Sequence, residues 1–311
     1  MLVRRLLTMI PLLFFVTLGT FMLTHLIPGD PAITVLGDNS TPERVEAVRE
    51  RLGLNEPLLS QYADWISGVP SLDLGTSLFS SEPVRDTLAN RIPVTLSLTA
   101  AALFVAVLIG VPAGILAATN PGRWIDRVAT IGATLGVAAP SYLIGSLLIA
   151  WLALKSSIFP ATGYVPMEES VVDWARSITL PAVALGSAAA AEIARQLRGA
   201  LRSVLQEDYV RTARAMGLRG RIVVGKYALK NAMIPLVTVI GFQVTSLLGG
   251  TVIIEQIFGI QGLGSLAVRK VLEQDIPVVQ GIVLVSVFVV IAVNLVVDLM
   301  YSYLDPKVRV R

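Results

Sequence analysis

The chain contains no cysteine. That absence removes disulfides, thiolate metal sites and cysteine nucleophiles together, without fixing the redox compartment. Histidine occurs once, as His25, which leaves too little for a histidine-based metal site or a catalytic triad. Charge is scarce as well: 15% of residues are charged, against roughly 25% in a soluble domain. What fills the space is hydrocarbon, with 54% hydrophobic residues and a mean hydropathy of +0.72 over 311 residues. Surplus apolar surface on that scale cannot all be hidden in a core, so lipid is the expected solvent. Neither a cofactor nor a nucleic-acid partner is expected, and the net charge of +3 matters less than its distribution.

Six stretches are long and apolar enough to cross a bilayer, which takes about 20 helical residues. They lie near Leu6–Ile27, Pro93–Ala118, Val128–Leu154, Thr179–Leu197, Ala232–Glu255 and Val278–Tyr301. Pro112 and Pro140 interrupt the second and third. The fourth is the least hydrophobic, because Glu192 and Arg195 fall in its second half. Its Gly186 and its Ala188–Ala191 run suit close helix packing rather than lipid contact. Six crossings put both termini on one side. Placing them inside puts 16 of the 25 basic residues there and leaves 15 of the 22 acids outside. The orientation read from the sequence is N-in, C-in, in a membrane of the cell. The first apolar run is too long for a signal-peptide core and no A-x-A site follows, so an uncleaved helix is expected.

Two connections are long. The external one, Pro28–Ile92, is expected to hold a helix at Thr41–Leu52, with Thr41 as N-cap, Pro42 at its first position and Gly53 as its stop. A second helix at Pro57–Ser67 would carry Leu58, Leu59, Tyr62 and Trp65 on one face. The internal connection, Arg198–Asn231, holds Leu205, Tyr209, Ala213 and Met216 at helical spacing, opposite Glu207, Arg211 and Arg214. Glu207 and Asp208 favour the start of this helix and Gly217 its end. Such a helix either lies on anionic headgroups or docks a partner protein.

Several pieces carry a resemblance. They are Asp208-Tyr-Val-Arg-Thr-Ala-Arg-Ala-Met-Gly217-Leu218, then Lys230-Asn-Ala-Met-Ile-Pro235; His25-Leu-Ile-Pro-Gly-Asp-Pro31; Arg51-Leu-Gly-Leu-Asn-Glu-Pro-Leu-Leu-Ser-Gln-Tyr62 with Leu72-Asp-Leu-Gly75; Asn120-Pro-Gly-Arg123; Ala139-Pro-Ser-Tyr142; and Glu255-Gln-Ile-Phe-Gly-Ile-Gln-Gly-Leu-Gly264. In this order and spacing the chain resembles the permease subunits of ABC importers, in the dipeptide, oligopeptide and nickel branch, over nearly its whole length. The resemblance implies an all-α polytopic fold of six transmembrane helices, the type I importer membrane domain. Residues 1–92 would form the first transmembrane helix plus an external cap. Residues 93–311 would form a five-helix core bearing a cytoplasmic coupling helix at about 206–217.

The resemblance further implies a subunit with no enzymatic activity of its own. A second, homologous permease would complete the pathway, two ATP-binding subunits would supply energy, and an extracytoplasmic substrate-binding protein would deliver di- or oligopeptides. Tyr209, Arg211, Thr212, Ala213, Ala215 and Gly217 would be the ATPase-coupling positions, and a bulky charge at Ala213 or Gly217 would uncouple transport while leaving the membrane fold intact. Arg211 stands where the wider family carries Glu, and Gln261 where relatives often carry proline.

Three other readings compete. An ATP-independent secondary transporter or channel would show charges at mid-bilayer or matching broken helices in two halves, and no convincing inverted repeat is visible. An intramembrane protease would need paired acids or a Ser/His arrangement. An importer of nickel or another small solute would look much the same as one for peptides. Gly220-Arg-Ile-Val-Val-Gly225-Lys226-Tyr227 nearly matches a phosphate-binding loop. Tyr227 stands where magnesium needs a small hydroxyl, however, and a helix precedes it rather than a strand. A basic connector into the fifth span is the expected role. Glu192 and Arg195, three residues apart, are expected to pair with each other. Trp124, Trp151, Trp174, Tyr301 and Tyr303 are expected at the membrane interfaces.

Overall fold

A computed structural model describes residues 11, 13–22, 29–37, 40–156 and 158–304. Arg4, Arg5, His25, Asn39, Lys307, Arg309 and Arg311 lie outside the described residues, as do the ends of the first expected span. The described part is helical throughout apart from turns and one isolated bridge, Thr76 to Pro83. Its helices are α1 (Leu13–Met22), α2 (Pro31–Leu36), α3 (Pro42–Arg51), α4 (Leu58–Gly68) and α5 (Val84–Thr119). They continue with α6 (Trp124–Ala138), α7 (Ser141–Leu148), α8 (Val171–Val204), α9 (Asp208–Ala215), α10 (Gly220–Ile222), α11 (Leu229–Ile257), α12 (Leu263–Leu272) and α13 (Ile276–Leu304).

Four helices among the described residues are long and apolar enough to span: Val84–Thr119, Val171–Val204, Gly220–Ile257 and Ile276–Val297. A fifth candidate is the pair Trp124–Ala138 and Ser141–Ala153, bent by 99°. The third span expected at Val128–Leu154 is thus sharply broken at Pro140, the position where the sequence marks an interruption. The cause is local: Pro140 lacks an amide hydrogen, and proline pushes the residue before it out of the helical region. Ala139 sits accordingly in extended backbone at ψ 121°. Of the first span, the described part is the ten-residue α1. Pro93, Pro112, Pro181 and Pro235 leave their helices unbroken, so proline alone did not locate the break.

The chain divides into two compact units. One comprises Val94–Gln261 with Ala292–Arg311. Its centre is α8, whose apolar window is 72% buried, against 28% for each of the other three long spans. The alanine and glycine content explains this: small side chains let backbones approach. A Cβ added at Gly186 would meet the Ala102 carbonyl oxygen at 2.5 Å, and one at Gly110 the Ala190 carbonyl at 2.6 Å. A Cβ added at Gly136 on α6 would meet the Ala191 methyl at 2.8 Å. Ile193, Leu197, Ile254 and Phe258 fill the remaining space. Trp174 Nε1 donates to Ser97 Oγ at 2.8 Å, and Thr95 donates to the fully buried Glu255 at 2.7 Å. Glu192 pairs with Arg195 at 2.5 Å within α8 itself.

The other unit comprises Met1–Pro93 and Gly262–Ile291. Leu74, Val84 and Leu88 pack there on Leu266, Val278 and Ile282. The helix expected at Thr41–Leu52 is α3: Thr41 caps it by accepting from Arg44 N, Pro42 opens it, and Gly53 follows at φ +66°. In α4, Tyr62 is buried and hydrogen-bonded to Thr17, whereas Leu59 points outward at 73% exposure. Asp275, fully buried, accepts from Ser77 Oγ at 2.5 Å, Leu78 N at 3.1 Å and Lys270 Nζ at 2.9 Å. Burial by itself would lower the Lys270 pKa, but hydrogen bonds to Glu273 and Asp275 outweigh it and raise the value above that of an ordinary lysine.

Candidate functional site

The segment between α8 and α11 begins at a fixed point. Arg198 near the end of α8 holds Asp126 at the start of α6 through two hydrogen bonds of 2.5 and 3.1 Å, and Gly122 N donates to the same carboxylate at 2.9 Å. Gly122 sits at φ +74°, a backbone that glycine adopts without penalty. Carboxylate, guanidinium and backbone amide thus tie two helix ends together.

Beyond α8 the chain turns into α9. Its apolar side is small: Val210 and Ala213, at 0% and 2% exposure, pack on Val223 with Leu205 and Leu218 around them. Gly217 ends the helix at φ +76°. Leu218 N donates to Ala213 O and Gly217 N to Arg214 O, the paired bonds of a Schellman cap with glycine at the left-handed position. Leu218 supplies the apolar contact that accompanies this cap. A short turn, α10, leads through a wider π turn at Val223–Ala228 into α11. Tyr209 reaches across to that base: its hydroxyl accepts from Asn231 Nδ2 at 2.6 Å and donates to the Tyr227 carbonyl at 3.4 Å. So α9 is braced against the foot of α11 by an apolar plug and a tyrosine strut. The glycine-rich stretch Gly220–Tyr227 is helical and π-helical, not the strand-and-loop of a phosphate site.

The six residues singled out from sequence part company here. Arg211, Thr212 and Ala215 are exposed on the side away from Val210 and Ala213. At 100° per residue they form one outward face, with Asp208 joining it through a 3.5 Å contact to Arg211. Tyr209 lies at the flank, 41% exposed. Gly217 is the cap. Ala213 is buried, so it supports the helix from behind rather than facing outward, and a charge there would strike the plug. The expected apolar stripe is rotated for the same reason: Met216 is 68% exposed, and the residue that fills the inside is Val210. Sequence reasoning passed over Val210, Leu218 and Val223. The stripe Leu205, Tyr209, Ala213 and Met216 masked the three-residue spacing of Val210 and Ala213.

The model of the family described as "Binding-protein-dependent transport system inner membrane component" matches residues 110–310, and that of its N-terminal component matches residues 1–99. The chain belongs to this family of transport permeases. A peptide transport system permease protein of Brucella abortus is 38% identical over 309 residues, covering 99% of this chain and 98% of the relative. The glutathione transport system permease protein GsiC of Escherichia coli (strain K12) is 40% identical over 307 residues, with the same coverage. Among solved structures, the inward-facing MetNI methionine ABC transporter matches with a TM-score of 0.57 at 21% identity, over 70% of this chain and 96% of that one. A crystal structure of an amino acid ABC transporter with histidines matches at 0.52 and 17% identity, over 77% and 98%. These two likenesses establish the fold: the membrane domain of an ABC transporter.

Proposed function

We propose that this permease forms half of the pathway of an ATP-driven importer for dipeptides or short oligopeptides, with a second permease as the other half. Its energy comes from two ATP-binding subunits that receive α9, and its substrate from a binding protein outside. The observation that carries the reading is the outward face of α9, held rigidly to the foot of α11. A helix exposed on one side and bolted to a span on the other transmits a push without absorbing it. Nucleotide-driven closure of the ATPases would then bias the pathway between two facing states. Arg211, Thr212 and Ala215 make the contact, Tyr209 stands at its edge, and Ala213 and Gly217 hold the helix in shape. Peptide as substrate follows from similarity to permeases named for peptide and glutathione transport, extending over the full chain.

Both termini are placed in the cytoplasm, supported by the 16 of 25 basic residues that this orientation puts inside. The test is uptake of labelled dipeptide into proteoliposomes holding the complex. Uptake is expected to require ATP inside the cytoplasmic compartment and the binding protein on the opposite side. Uptake that survives ATP removal, or that carries nickel and ignores peptides, overturns the reading.

A further inference from the structure

Next to α9, on the flank opposite Tyr209, lies a cavity of about 870 Å³. Its walls come from the ends of α5 and α8, the last turn of α9 and the connector into α11. Ile115 and Leu116 on α5 and Leu229 on α11 make one side apolar, and Leu116 is 51% exposed. Arg202, Arg214 and Arg221 line it from three different elements, and no carboxylate does. None of these arginines forms an ion pair with a carboxylate among the described residues. Asp126 is held by Arg198, with Arg202 near enough to attract it without pairing, and Asp208 lies beside Arg211 on the outward face of α9. An added Cβ at Gly220 or Gly225, which also line the cavity, would meet nothing within 4 Å, so the space is open.

Each half of this arrangement excludes a simple occupant. A free inorganic anion would satisfy the arginines but leave Ile115 and Leu116 bare. A hydrocarbon would cover the leucines but leave the three arginines lining the cavity with no counter-charge. A phosphate carried on an apolar tail satisfies both, and the guanidinium fork matches phosphate geometry. We propose that this cavity binds the phosphate headgroup of one anionic phospholipid, its acyl chain lying along Ile115 and Leu116. The site rests on the cytoplasmic placement of the α8–α11 loop proposed above, because the end of α5 must sit at headgroup depth. A lipid held there wedges α9 against the ends of α5 and α8, so it stiffens the element that receives the ATPase.

The experiment is native mass spectrometry of the detergent-purified complex, titrated with phosphatidylglycerol or phosphatidylcholine. One phosphatidylglycerol is expected to stay bound per chain at energies that strip phosphatidylcholine. Replacing Arg202, Arg214 and Arg221 together by Gln is expected to weaken retention by about a hundredfold, at roughly 1 kcal/mol per basic residue. Gly225→Leu, which fills the space and leaves the charges in place, is expected to weaken it as well. Equal retention of both lipids, or no effect of either variant, overturns the proposal. Displacement of the lipid by millimolar inorganic phosphate alone also overturns it, since the site would then be one for a soluble anion. Loss of the ATP-binding subunits from the arginine variant, with lipid still held, would reassign the arginines to that interface. The orientation is checked separately. A Gly225→Cys variant of this cysteine-free chain is expected to react with an impermeant maleimide only from the cytoplasmic side. Labelling from the other side would sink the orientation, whatever the lipid result.

Discussion

Gly110, Gly136 and Gly186 set how closely α5 and α6 approach α8, and at Gly186 the obstacle to any side chain is a backbone carbonyl, which cannot rotate away. Gly186→Ala is therefore expected to force the helices apart and cost about 1–3 kcal/mol. A lower melting temperature of the detergent-solubilised protein, by size-exclusion after heating, checks it; an unchanged midpoint would show that α5 and α8 have slack. Gly199, on the same helix with open space around it, serves as the control and should tolerate alanine. The close packing of α8 was legible in the sequence, because glycine and alanine runs inside an apolar segment have few other uses. The burial of Ala213 was only half so, since it stands on the apolar stripe and also among the expected contact positions. An alanine looks the same on the inside and the outside of a helix, and only the bulk of Val210, Val223 and Leu218 around it decides.

At the scale of elements, the knot around Asp275 joins the loop before α5 to the turn after α12. Asp275→Ala removes the acceptor for Ser77, Leu78 and Lys270 at once. Breaking one partner of a buried ion pair costs about 3–5 kcal/mol, and limited proteolysis between residues 72 and 83 is expected to rise. Lys270 fixes the pH behaviour of this knot. Its folded pKa is raised, so its contribution is fully present below the unfolded value of about 10.4 and is lost only as pH climbs through the folded value. Protection of that loop in hydrogen exchange, corrected for intrinsic rate, should be flat from pH 6 to 9; a fall within that range would contradict the assignment. The ends of α3 and α9 were readable because caps are local chemistry, Thr41 before a proline and Gly217 after a periodic stretch. The pairing of Asp275 with Ser77 was not readable, since nothing local links positions 198 residues apart. The 99° bend at Pro140 was half visible: the proline marks a break, but four other prolines sit in unbroken helices.

At the scale of the whole molecule, apolar spans make up most of the chain, and the proposed mechanism needs the outward face of α9 to meet a partner. Most of this was available from composition and order of segments: the apolar excess, the basic connector and the succession of family motifs. The rotation of α9 about its own axis was the missing piece, and it turns a list of six residues into three that face out, one at the edge and two that hold the shape. The most direct measurement uses the lack of cysteine. Single cysteines at Thr212, Ala215 and Ala213 are introduced into the complex, and each is labelled with a maleimide-benzophenone, whose photoactivated ketone inserts into neighbouring C–H bonds of the partner. Thr212→Cys and Ala215→Cys are expected to give an adduct with the ATP-binding subunit, and Ala213→Cys none. Adducts from Ala213→Cys alone, or no adduct at either exposed position in a complex that transports peptide, would contradict the account.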